Sequence, residues 1–113
     1  MNLAEYLLTQ AASECVEVAH RISKAQQFGL AETQSGQPES NAQRVVGEFM
    51  DLLAVMEMLE AEGLIQMPSK QEQEALKQAK KAKVLKFMRY ARDECGTLSE
   101  LPGVRSGIGC AGG

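Results

Sequence analysis

Two pairs of acidic residues have the types and spacing for chemistry. Glu14-x-x-Glu17 lies within SECVEVAHRISKAQQFGL, and Glu48-x-x-Asp51 lies within NAQRVVGEFMDLLAVMEML. Residues three apart on a helix are neighbours on one face, so each segment presents two carboxylates side by side. Oxygen-only donor sets suit hard cations, Mg²⁺ or Mn²⁺. Four acids on two facing helices repel one another unless a cation neutralises them. Any acidic helix yields such a spacing by chance, so it is the joint placement of the two pairs that points to a metal site. Glu17-x-x-His20 is half of a di-iron bundle pattern. The chain has one His, so the second half is missing, and His20 reads as solvent-facing.

A second group of residues suits phosphate. Lys77, Lys80, Lys81, Lys83, Lys86, Arg89 and Arg92 crowd one later segment. Most of them make an ordinary solvated basic face. Lys83, Lys86 and Arg89 are spaced to reach a polyphosphate along one side. Nucleic-acid binding is the competing use, and a net charge of −3 without helix-turn-helix spacing argues against it.

The elements that must carry these groups are helices. Asn2 with Glu5 three residues on is an N-cap signature; it predicts a helix from Leu3 to Phe28, stopped by Gly29. Residues 29–40, GLAETQSGQPES, form a polar loop longer than a tight helix connection. Ser40 with Gln43 predicts a second helix over Asn41 to Glu62, ended by Gly63. Ser69 with Glu72 predicts a third over Lys70 to Glu94, with Gly96 after it. At about 100° per residue, Leu7, Ala11, Cys15, Val18 and Ile22 form an apolar stripe on the first helix, edged by Glu14, Glu17, Arg21 and Lys24. Val45, Phe49, Leu52, Met56 and Leu59 form the stripe of the second, edged by Arg44, Glu48 and Asp51. On the third, Leu76, Ala79, Val84, Phe87, Met88 and Ala91 make a weaker stripe. An acidic face kept for solvent would sit opposite the stripe rather than beside it.

The expectation is an all-α fold: a bundle of about three helices over residues 1–95, with a loose Gly-rich tail over 96–113. At 113 residues, without Trp, the core must be aliphatic and small, and oligomerisation would complete it. Residues 1–63 carry ten acids and three bases, and residues 64–113 carry five acids and nine bases. The halves therefore differ in sign, −7 against +4. Cys15, Cys95 and Cys110 are odd in number with no CxxC, which fits a reducing compartment better than a disulfide framework. No apolar run reaches membrane-spanning length and no leader pattern opens the chain, so a cytoplasmic protein is expected.

The segments around the two acid pairs resemble the all-α nucleoside triphosphate pyrophosphohydrolases of the MazG-like superfamily, which includes dimeric dUTPases, dCTP pyrophosphatases and phosphoribosyl-ATP pyrophosphohydrolase. The family hallmark is EExxE, a loop, then ExxD. Here it reads Ser13-Glu14-x-x-Glu17 and Glu48-x-x-Asp51, with Ser13 in place of the leading Glu. KFMRY, Lys86 to Tyr90, is similar to the family's later basic stretch, and the likeness spans residues 4–92. The resemblance implies hydrolysis of a nucleoside triphosphate to the monophosphate and pyrophosphate, the housecleaning of a nucleotide pool. It implies Glu14, Glu17, Glu48 and Asp51 as catalytic metal ligands for Mg²⁺, with Mn²⁺ as a substitute. It makes Lys24, Arg44 and Lys86 candidates for phosphate contacts, Arg21 and Arg89 secondary ones, and Asn41 a candidate for the base or sugar. It implies a homodimer or homotetramer, a nucleotide partner, and neither nucleic acid nor membrane. Ser13 motivates the alternative, a non-catalytic nucleotide- or protein-binding module of the same fold. An acidic helical interaction protein with no metal is a third reading.

Overall fold

The computed structural model describes residues 1–103, and every regular element among them is helical. Helix α1 spans Leu3–Phe28, α2 spans Asn41–Ala61 and α3 spans Lys70–Tyr90, followed by a single π-helical turn at Ala91–Cys95. The chain forms two compact units, one ending at Gln66 and one starting at Met67.

The first unit is a helical hairpin of α1 and α2. Asn2 Oδ1 accepts the Glu5 backbone N–H at 2.8 Å and starts α1. Ser40 starts α2 with a full capping box: Ser40 Oγ accepts from the Gln43 N–H at 3.2 Å, and Gln43 Oε1 accepts from the Ser40 N–H at 2.8 Å. Each reciprocal bond satisfies a donor that the helix start leaves unpaired. Ser40→Ala should lower stability by about 1 kcal/mol, measured as a shift of the urea midpoint with unchanged slope. Helix α2 ends in a Schellman motif, one residue short of the expected end. The Leu64 N–H reaches Leu59 O at 3.0 Å and the Gly63 N–H reaches Glu60 O at 2.9 Å. That closure needs φ of +74° at position 63, which Gly adopts without a Cβ penalty.

The seam between the helices differs from the expected stripe. On α1, beside the half-buried Gln10 and Lys24, the row withdrawn from solvent is Ala4, Leu7, Ala11, Glu14, Val18, Arg21 and Ala25. Their alternating spacing of three and four is the 3.5-residue period of paired helices. On α2 the matching series is Asn41, Val45, Glu48, Leu52, Val55 and Leu59. Leu7 and Leu59 close one end of the hairpin, and Ala25 and Asn41 close the loop end. Glu14, Arg21 and Glu48 stand in the seam itself rather than along its edge. Conversely, Cys15, Ile22 and Phe49, expected in the core, are exposed, Ile22 and Phe49 by about half. A run of apolar side chains including Val16, Ile22, Val46, Phe49 and Met50 thus remains in water on the hairpin.

The second unit is built on α3, capped by Ser69 and Glu72 through another capping box. None of the residues of α3 is buried, and Leu76, Val84 and Phe87 are exposed. The expected helix to Glu94 ends as an α-helix at Tyr90. The π-turn takes over there, with Thr97 N–H bonded to Ala91 O at 3.0 Å. Of the expected tail over 96–113, residues 104–113 lie outside the described residues.

Candidate metal centre

The middle of the hairpin seam is acidic. Glu14 on α1 and Glu48 and Asp51 on α2 each offer a carboxylate oxygen, and these oxygens all lie within 4.8 Å of one another. Glu14 and Glu48 are half-buried and Asp51 is exposed. Glu48 and Asp51 come together because they are three apart on one helix. Glu14 joins them because its seam position faces α2. Glu17 lies about 60° around α1 from Glu14; it is exposed and outside this close group.

The cost of the arrangement falls on Glu14. Desolvation first, then the charges of Asp51, Glu48 and Glu17, hold its carboxyl above the usual 4.5. The native state therefore holds this proton more tightly than the unfolded chain. The contribution of Glu14 to stability is lost as pH rises through that raised value, and regained on acidification, opposite to the usual carboxylate behaviour. A bound cation cancels the repulsion. Glu14→Gln should raise the metal-free melting temperature at pH 7 and remove this dependence above pH 4.5. The same substitution should reduce the stabilisation given by millimolar Mg²⁺. Thermal melts across pH, with Mg²⁺ and with chelator, measure both effects.

Cations lie on the loop side of the acids. Arg21, about two turns along α1 from Glu14, is half-buried, and its Nε is buried with no hydrogen-bond partner among the described residues. Lys24 is half-buried, with Nζ 5.8 Å from the centroid of the Phe28 ring. Arg44 Nη1 donates to Gln34 Oε1 at 3.1 Å. At about 100° per residue, Glu17, Lys24 and Phe28 on α1 and Arg44 and Asp51 on α2 all fall on one side of the antiparallel seam.

Asn41 is 4% exposed, and both hydrogens of its amide are committed. Nδ2 donates to Gly29 O and to Glu32 Oε1, each at 2.8 Å. Together with the backbone bonds Asn41 N–H to Glu32 O and Ala42 N–H to Leu30 O, both 2.9 Å, this amide fastens the loop to the start of α2. A cavity of about 330 Å³ results, lined by Lys24, Phe28, Glu32, Gln34 and Asn41. Nothing in the sequence singles out Glu32 and Gln34; their role depends on how the loop folds. Lys86 is exposed on α3, in the second unit, with Nζ 6.0 Å from the Phe87 ring centroid. His20 and Ser13 are exposed.

The chain matches no protein-family model, no curated protein sequence and no solved structure. Among the described residues, no helix is long and apolar enough to cross a membrane.

Proposed function

We propose that the hairpin is the catalytic unit of a Mg²⁺-dependent nucleoside triphosphate pyrophosphohydrolase of the MazG-like type. The observation that carries this reading is the meeting of Glu14, Glu48 and Asp51 within 4.8 Å. Burial first, and then the charges of Asp51, Glu48 and Glu17, raise the proton affinity of Glu14, and a divalent cation would relieve the repulsive part. Three carboxylates suit Mg²⁺, or Mn²⁺ in its place.

A divalent cation held there supplies Lewis-acid polarisation of phosphoryl oxygens and activation of water. The residues of the chain do the rest. Glu14, Glu48 and Asp51 hold the cation. Glu17, outside that group yet near enough to raise Glu14, is free to accept the proton of the attacking water. Arg21, Lys24 and Arg44 lie beside the acids, where the phosphate charges of the substrate would fall, and the unpartnered Arg21 Nε is a donor without an acceptor. Attack at the α-phosphorus breaks the α–β bridge and releases pyrophosphate.

The exposed apolar side chains on both units support the second part of the proposal, a homodimer or homotetramer. Leaving so much apolar surface in water is costly, and a partner copy would cover it. Sedimentation at micromolar concentration should show a species of twice or four times the 12.3 kDa chain; a monomer would refute this part.

A panel of ribo- and deoxynucleoside triphosphates, assayed for pyrophosphate with Mg²⁺ and with Mn²⁺, tests the activity. Release of pyrophosphate and monophosphate in equal amounts is expected. Turnover of no nucleotide with either cation would overturn the reading. Nucleotide binding without turnover would favour a non-catalytic module.

A further inference from the structure

The cavity at the loop end of the hairpin has the features of a selective site for a planar heterocycle. Phe28 is 58% exposed and forms one wall, and aromatic faces stack nucleobases. Glu32 lines the same cavity and is fixed twice by Asn41, through its backbone carbonyl and through Oε1. That leaves its second carboxylate oxygen to a ligand. An ionised carboxylate only accepts hydrogen bonds. Gln34 gives its Oε1 to Arg44, so its amide N–H groups remain as donors. Lys24, assigned above to the phosphates, also borders the cavity. The cavity therefore pairs one fixed acceptor with nearby donors.

The cavity is also in register with the acids. Asn41 precedes Glu48 by seven residues on α2, about 10 Å at 1.5 Å per residue, and Phe28, Lys24 and Arg44 lie on the acid-bearing side of the seam. Acids, then cations, then a ring-sized cavity follow one another along the hairpin. A nucleotide with metal-bound phosphates would lay its base at the end of that row.

The geometry points to a nucleobase carrying an exocyclic amino group as the occupant of this cavity, with the free oxygen of Glu32 accepting from the amine. A base with a carbonyl at that position, such as uracil or hypoxanthine, sets oxygen against carboxylate and is rejected. The inference rests on the nucleotide reading of the hairpin and adds the class of base.

The test is calorimetric binding of two matched pairs, dCMP against dUMP and AMP against IMP, each differing only in amine for carbonyl. Wild-type protein should bind the amino member of at least one pair about tenfold more tightly. Glu32→Gln, which keeps an acceptor for Asn41, should bring that ratio close to one while circular dichroism stays unchanged. Equal affinity within both pairs, tighter binding of the carbonyl member, no binding of any of the four, or a ratio unaffected by Glu32→Gln would overturn the inference. Pyrophosphate release from dCTP and dUTP with Mg²⁺ is measured in parallel and separates the two readings. Base-selective binding with no release keeps the cavity and refutes the hydrolase. Release with no selectivity in binding keeps the hydrolase and refutes the amino-base site.

Discussion

Glu48→Ala should cut pyrophosphate release by more than about a hundredfold. Even residues that only support metal ligands cost ten- to a hundredfold on mutation, and Glu48 is proposed as a ligand itself. It stands in the seam, half-buried, within 4.8 Å of both Glu14 and Asp51. The fold should survive, because the change removes one of several repelling charges rather than an attractive contact. The helical signal in circular dichroism is therefore expected to persist, and the metal-free melting temperature to hold or rise. Asp51→Ala should behave alike in the assay. An inactive variant that has lost its helicity would point instead to a structural role for Glu48.

Leu59→Ala should destabilise the protein by about 2–5 kcal/mol, the range for emptying a filled core position. Leu59 is 1% exposed, the deepest large side chain of the described residues, and the other buried apolar residues are Leu7 and Ala25 alone. A hairpin with so few fully buried side chains has little in reserve, since small domains are marginal to begin with. Urea unfolding should show the midpoint falling well below wild type. If partner copies cover the hairpin, the midpoints of both proteins will rise with protein concentration, because association stabilises the native state by mass action. A change below about 0.5 kcal/mol, the range of ordinary surface substitutions, would mean that the two helices are not held together at this end.

The three helix starts and the stops of α1 and α2 were legible because capping is local. Asn2 with Glu5, Ser40 with Gln43 and Ser69 with Glu72 each announce a start within four residues, and Gly29 and Gly63 mark stops. The rotation of each helix was not legible. Periodicity on a single helix gives a hydrophobic side, but only pairing decides which row faces the neighbour. On α1 that row runs through Glu14 and Arg21 and leaves Ile22 outside; on α2 it runs through Glu48 and leaves Phe49 outside. The end of α3 was missed because a π-turn needs one extra residue per turn, which apolar spacing does not report.

The same distinction governs the candidate site. Spacing brought Glu48 to Asp51, since both lie on α2. Bringing Glu14 to them, and leaving Glu17 aside, required the rotation of α1 in the hairpin. Asn41 was a candidate only through the family resemblance, as a contact for the base or sugar, and its engagement of Gly29 and Glu32 depends on the path of the loop. Loop conformation has no periodic signature, so Glu32 and Gln34 could be found only in three dimensions.

The account depends on a cation binding where the seam acids meet. Calorimetric titration with Mn²⁺, comparing wild type with the triple variant Glu14→Gln, Glu48→Gln, Asp51→Asn, tests that dependence directly. Saturable binding in the wild type, lost in a triple variant that keeps its helicity, is the predicted result. Equal Mn²⁺ binding by the two proteins, or none by either, would contradict it.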